Sequence, residues 1–390
     1  MIFWQVFFWI SVFLVFHSYV LFPFLLKIFS RKKTLNEISM YNRQDDLPNV
    51  SILMAVHNEY NIIEKKVRSV FNTDYPLDKI EFLIGSDNSN DGTNEVLKKL
   101  EKEYYNLKVF YYNKRSGKIK IINELVEKSK YSLIISTDAK ALFLKETIFE
   151  LVKYLKDNRI AACGGFLVNK RKERDGISKQ ENLYMDREMK IKYLETLFCL
   201  CPIGLYGALY SVKKNYFVPV PENLLVDDFY ITMKIYEKNK SAVFNKNAKA
   251  IENLPNKLSE EFRRKVRIAT GDFQNVKIFS KFILKPFSKV GFCFVSHKII
   301  RWFTPFFIIL SILSLLFLSE VVFYRFLLIG GIILFFVPII DFLFGKLGFH
   351  FSLLRLITHF LAMNLALFIG FFKALKGVKV GIWEPSKRNL

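Results

Sequence analysis

Apolar positions along the chain fall into three regimes. Residues 2–28, IFWQVFFWISVFLVFHSYVLFPFLLKI, are almost unbroken, longer than the roughly 20 residues a spanning helix needs. From 48 to 275 the pattern alternates between short β-type runs and helical periodicity. Long apolar runs then return as WFTPFFIILSILSLLFL (302–318), VVFYRFLLIGGIILFFVPII (321–340) and FHFSLLRLITHFLAMNLALFIGFF (349–372).

In the middle region, NVSILMAV predicts a strand ending at His57, Asn58 and Glu59, followed by a helix through Ile62, Ile63, Val67 and Val70. KIEFLIGSD predicts a second strand, closed by the turn-rich NSNDGT. NEVLKKLEKEY reads as helix, LKVFYYN as strand, GKIKIINELVEKS as helix and YSLIISTD as a fourth strand. This alternation predicts an α/β domain on a mostly parallel sheet flanked by helices. Ligands of such sheets bind beyond the carboxyl ends of the strands. Glu59, Asp87 and Asp138 all fall at those ends.

The flanks read as membrane segments. The start carries no charge, and Lys27, Arg31, Lys32 and Lys33 follow the first apolar run. Positive charge stays on the cytoplasmic side, so residues 1–30 are expected to be an uncleaved anchor with residues 48–275 in the cytoplasm. Residues 302–373 are expected to form C-terminal transmembrane helices, although Arg355 and His359 are costly in lipid. Three full spans would leave the C-terminus outside, whereas the basic tail 374–390, which carries Lys376, Lys379, Lys387 and Arg388 and follows Lys373, favours inside. One of the three segments is therefore expected not to cross fully.

Formal net charge is +22. No zinc, helix-turn-helix or RNA-binding motif accompanies it, so the expected partners are membrane lipids and an anionic substrate, not nucleic acid. Residues 276–301 alternate lysines with Phe and Ile, as in an interfacial segment or a basic flank. The four cysteines show no zinc spacing and no disulfide framework. Cys199 and Cys201 read as ordinary packing beside Pro202.

Several polar groups have two readings. Asp87, Ser89, Asp91, Gly92 and Thr93 make a turn and helix cap as readily as a ligand loop. Of Asp227 and Asp228, one is expected to cap the helix FYITMKIYEK and the other to face a cleft. Arg263, Arg264, Lys265 and Arg267 form either a solvated face or, with Arg264 and Arg267 three apart, a fork for a diphosphate. No Walker loop and no G-x-G-x-x-G is present.

In chain order, MAVHNE, SDNSNDGT, GKIKIINEL, STDA, VDDFYITMKI, EEFRRKVRIATG and GIWEPSKR resemble the motifs of family 2 glycosyltransferases. The similarity is to the membrane-embedded GT-A group of hyaluronan, cellulose and poly-N-acetylglucosamine synthases. It implies a GT-A domain, a nucleotide-sugar donor (a UDP-sugar first), a divalent metal, Mg²⁺ or Mn²⁺, and inversion at the anomeric carbon. It places His57 and Glu59 with the donor, Asp87 on base or ribose, Lys118 on nucleotide or phosphate, and Asp138 on metal and diphosphate. Asp228 becomes the general base and Arg267 a diphosphate clamp. Asp227, Arg264, Gly207 and Trp383 fall to the cleft and acceptor. Gly204 and Gly207 would allow close approach in a donor pocket around 163–210.

Two positions depart from the family pattern. Lys140 stands where the second acid of an aspartate-x-aspartate motif belongs, and an ammonium has no lone pair for a metal. Either Asp138 holds a metal with few protein ligands, or Lys140 supplies positive charge itself, or Lys140 points away. At the Q-x-x-R-W position, Arg264 replaces Gln and Ile268 replaces Trp. The expected function is transfer of one or a few sugars to a lipid-linked or glycan acceptor at the inner face of the inner membrane, in surface polysaccharide or glycolipid synthesis. A processive synthase exporting its chain and a non-catalytic nucleotide-binding scaffold are the alternatives.

Overall fold

The structure, a computed structural model, describes residues 1–168, 178–252, 258–349 and 351–378. It divides into two compact units. One comprises Phe29–Lys172, Arg187–Pro255 and Val378–Leu390; the other comprises Met1–Ile28, Glu173–Asp186 and Asn256–Gly377.

The first unit is built on an eight-stranded sheet. Its strands are β1 (Val50–Val56), β2 (Ile80–Asp87), β3 (Leu107–Tyr112), β4 (Leu133–Thr137), β5 (Leu142–Phe143), β6 (Ile160–Val168), β7 (Leu209–Lys213) and β8 (Ser241–Ile251). Their spatial order is β3-β2-β1-β4-β7-β6-β8-β5. β1 to β4 are the four strands read from the sequence, and they pair in parallel. Val, Ile and Leu are frequent in β1, β2 and β4, which are buried on both faces and so suit a continuous apolar run, whereas β3 at the edge alternates buried and exposed positions. Ile52 and Met54 are fully buried, and each such side chain contributes roughly 1.5–3 kcal/mol.

Helices Tyr60–Phe71, Thr93–Glu103 and Lys118–Lys128 follow β1, β2 and β3 in the chain. Each buries one apolar stripe, for example Ile63, Val67 and Val70. That periodicity is why the residues form helices here.

Beyond β4 the sheet becomes mixed. β7 runs antiparallel to both β4 and β6, β6 pairs in parallel with β8, and β5 runs antiparallel to β8. Thr137 at the end of β4 pairs with Leu209 at the start of β7. The chain entering β7, Gly207 and Ala208, therefore emerges at the edge where β1, β2 and β4 end. Cys199 and Cys201, expected to be packing residues, are joined as a disulfide. Leu200 between them has φ +56°, and the two Cα atoms stand 5.4 Å apart.

In the second unit, Ile2–Phe16 lies against Thr304–Phe317, where Phe8, Leu315, Leu318 and Tyr324 make a buried cluster. Leu258–Ile278 packs along Ser352–Lys376. Gly370 permits that contact, because a Cβ there would meet the Ala269 Cβ at 2.5 Å. Among the described residues, three helices are long and apolar enough to cross a membrane: Ile2–Phe29, Val322–Lys346 and Ser352–Lys376. The apolar run at 302–318 is not one straight helix. Lys289–Trp302 and Thr304–Phe317 meet at a 59° bend, as a broken span or re-entrant loop would.

Candidate active site

The carboxyl ends of parallel strands bring the polar residues together. β1 delivers His57 and Glu59, β2 delivers Asp87, and β4 delivers Asp138. The reversed β7 places Gly207 at the same edge.

Asp87 is almost fully buried. Its Oδ1 accepts the Ser116 N–H at 2.6 Å and its Oδ2 accepts the Gly117 N–H at 3.0 Å. Arg115 Nε lies 3.5 Å from Oδ2, and the backbone carbonyl of Asp87 meets His57 Nδ1 at 2.7 Å. Asp87 thus shapes the loop entering helix Lys118–Lys128. Gly117 caps that helix at φ +85°, a conformation open to glycine.

Lys118, the first residue of that helix, carries the loop's order into the site. Its Nζ donates to Asp138 Oδ1 at 2.9 Å and lies 3.9 Å from Asp227 Oδ2. Burial works against its charge, but Asp138 and then Asp227 outweigh it and raise the pKa above the ordinary lysine range. The Asp138 carboxylate remains 41% exposed. One accessible carboxylate is a fitting hard-oxygen ligand for Mg²⁺ or Mn²⁺, which keep several waters and need few protein ligands. Lys140 offers none. Its ammonium turns to the neighbouring strand end and lies 3.5 Å from Glu59 Oε1, so Glu59 stands against a lysine.

Asp227 and Asp228 open helix Asp227–Glu237, and Val226 is its N-cap. Neither acid caps the helix, contrary to expectation; both stand in its first turn, where negative charge suits the helix dipole. Asp228 Oδ2 accepts the Gly207 N–H at 2.7 Å, and Oδ1 accepts the Phe229 N–H at 2.8 Å. Burial raises its pKa above the usual carboxylate value and the charge of Asp227 adds to this, while Lys192, Lys118 and the Phe229 N–H oppose. A raised carboxylate pKa is what a general base working near neutrality needs.

Sequence reasoning missed Arg115 and Lys66. Lys66 is fully buried on helix Tyr60–Phe71, four residues after Ile62 and four before Val70. That spacing on an apolar stripe was the available signal.

Arg264 and Arg267 are on Leu258–Ile278, in the second unit. Arg264, expected at the acceptor cleft, is committed to carboxylates: Glu261 at 2.9 Å and Glu181 at 3.2 Å. Lys265 lies 2.8 Å and His359 3.3 Å from the same Glu181. Arg267 is half-buried. Trp383 lies outside the described residues.

Residues 51–211 match the family model described as glycosyl transferase family 2. A beta-monoglucosyldiacylglycerol synthase of Trichormus variabilis is 33% identical over 121 residues, covering 30% of this chain and 26% of that protein. A poly-beta-1,6-N-acetyl-D-glucosamine synthase of Staphylococcus epidermidis is 24% identical over 131 residues, covering 33% of this chain and 31% of that protein. The chain thus spans between a quarter and a third of the length of these curated relatives. The solved structure of mannosyltransferase PcManGT from Pyrobaculum calidifontis, in complex with GDP-Man and Mn2+, superposes with a TM-score of 0.70 at 19% identity, over 95% of this chain and 99% of that one. The fold is therefore that of GT-A glycosyltransferases, and residues 51–211 form a family 2 glycosyl transferase domain.

Proposed function

We propose that the protein is an inverting glycosyltransferase that moves a sugar from a nucleotide-sugar donor to a lipid-linked or glycan acceptor at the inner face of the inner membrane. The observation that carries this reading is the gathering of Asp138, Lys118, Asp227 and Asp228 around one edge of the sheet.

In this reading Asp228 takes the proton of the acceptor hydroxyl. The hydroxyl oxygen attacks the anomeric carbon from the face opposite the leaving group. A carbon–oxygen bond forms, the bond to the diphosphate breaks, and the nucleoside diphosphate leaves with the electron pair. Lys118 meets the charge that develops on the diphosphate. Asp138 would hold a divalent cation, which supplies Lewis-acid stabilisation of the same charge. Asp87 acts on the donor through the Ser116–Gly117 backbone that it orders, and His57 supports Asp87 from β1.

Arg264 and Ile268 stand where the resemblance to processive synthases implies Gln and Trp. Arg264 is moreover held by Glu181 and Glu261. We therefore favour transfer of one or a few sugars in glycolipid or surface-polysaccharide synthesis, with a UDP-sugar the first donor to test. Purified membranes given UDP-, GDP- and dTDP-sugars should release nucleoside diphosphate with one of them. Labelled product should run as a single shifted lipid band; a ladder would establish a polymerase, and donor binding with zero turnover would establish a scaffold.

A further inference from the structure

Lys66 has no place in the mechanism above, yet it is completely buried beneath the segment that carries Asp138. Burial pushes its pKa well below the ordinary lysine value, against the pull of Asp138 and Glu252. Its ammonium donates to Thr137 Oγ1 at 2.8 Å and also to the Ala141 carbonyl. The ring of Phe143 lies beneath it, 3.7 Å from Nζ to centroid. A buried cation is costly unless its donors are met, and here two acceptors and one ring face meet them.

The two acceptors bracket one turn of chain. Thr137 precedes Asp138, Ala141 follows Lys140, and the Ala141 N–H closes the turn on the Asp138 carbonyl at 3.2 Å. Lys66 therefore grips both ends of the turn that presents Asp138 and Lys140. Thr137 Oγ1 in turn donates to the Ala208 carbonyl at 3.0 Å. Ala208 follows Gly207, whose N–H holds Asp228. One hydrogen-bonded chain thus runs from Lys66 through Thr137 to the backbone that orients the candidate base.

We propose that Lys66 is a positioning residue for both halves of the reaction: it sets the turn bearing Asp138 against the bound diphosphate and, through Thr137 and Ala208, holds the segment that orients Asp228. This rests on the glycosyltransferase reading above. Apolar packing alone does not account for a lysine here, since a methionine would fill the same stripe without a buried charge.

The test uses the full chain in lipid nanodiscs, with UDP, GDP and dTDP each titrated calorimetrically in the presence of Mn²⁺. Lys66→Met and Thr137→Val are compared with Val67→Ala, a truncation of the adjacent fully buried core residue. Thr137→Val keeps the β-branched shape and removes only the hydroxyl, so it carries the test should Lys66→Met fail to fold. Both site variants should weaken nucleoside diphosphate binding roughly ten- to hundred-fold, as small misplacements of positioned groups do. Both should also move the acid limb of kcat/KM to higher pH, because a loosened Gly207 N–H stabilises the Asp228 carboxylate less. Val67→Ala should lower Tm while leaving affinity and acid limb in place. Unchanged affinity and acid limb in Thr137→Val, or equal losses in Val67→Ala, would overturn the proposal. A wild-type chain that binds none of the three nucleotides would instead remove the functional reading, and this inference with it.

Discussion

Gly207 and Asp228 are fitted to each other: the Gly207 N–H donates to Asp228 Oδ2 at 2.7 Å, and a Cβ at 207 would stand 3.1 Å from that same oxygen. The residue that orients the carboxylate is thus one whose lack of a side chain leaves room for it. Gly207→Ala should displace Asp228 by a few tenths of an ångström and lower kcat about tenfold, with nucleotide affinity unchanged. Asp228→Asn keeps an acceptor but cannot take a proton, and should lower kcat by about 10²–10⁴. Single-turnover rates beside nucleotide titrations separate the two effects; full activity in Asp228→Asn would remove it as the base.

The pH profile follows from the neighbours of Asp228. Its pKa is raised, by burial first and by Asp227 next, so turnover falls as pH drops through that raised value. Asp227→Asn removes the like charge and should move the acid limb of kcat/KM to lower pH. An acid limb that stays put in Asp227→Asn would mean that Asp227 does not act on the titrating group.

Lys140 lies beside Glu59 at the end of β1. Lys140→Asp would place a second hard-oxygen ligand on the turn bearing Asp138 and release Glu59 from its ammonium partner. Half-saturation by Mn²⁺, read from calorimetry with nucleotide present, should fall by about tenfold. Superimposed metal titrations of wild type and variant would place Lys140 outside the site.

Glu181 governs a prediction about stability. Burial disfavours its charge, but Lys265, the hydrogen bond with His359, and Arg264 outweigh it and bring its pKa down to about 2 from 4.5. The contribution of this carboxylate is therefore complete above about pH 4.5 and is lost as pH falls towards 2. Glu181→Gln removes one of the two buried counter-charges that Arg264 and Lys265 share and leaves Glu261 as the other, a loss of about 1.5–3 kcal/mol. Thermal scans at neutral pH should show Tm lowered by several degrees, and the gap between wild type and variant should close in acid. Equal Tm values at neutral pH would show the cluster to be energetically neutral.

The Lys66 stripe shows where sequence reading stopped. Ile62, Ile63, Val67 and Val70 identified the helix and its buried face, but a lysine on that face reads as an interruption until its acceptors are known. Thr137 and Ala141 lie 71 and 75 residues further along the chain, beyond the reach of any local pattern. Asp87 behaves the same way. Its place at a strand end was legible, whereas its engagement with the Ser116 and Gly117 backbone was not.

What the chain alone determined is local or ordered along the sequence. Alternating apolar runs specify β1 to β4 and the helices after them, and parallel pairing then puts Glu59, Asp87 and Asp138 at one edge. The motif order carried the GT-A resemblance for the same reason. Tertiary structure alone decided that β7 runs against β4, which brings Gly207 to Asp228. It also decided that Lys118 bridges Asp138 and Asp227, that Lys140 turns to Glu59, and that Arg264 is held by Glu181. These depend on side chains distant in sequence finding charge partners and hydrogen-bond acceptors across strand ends and helix faces. Periodicity reports which face of an element is buried, not what that face meets.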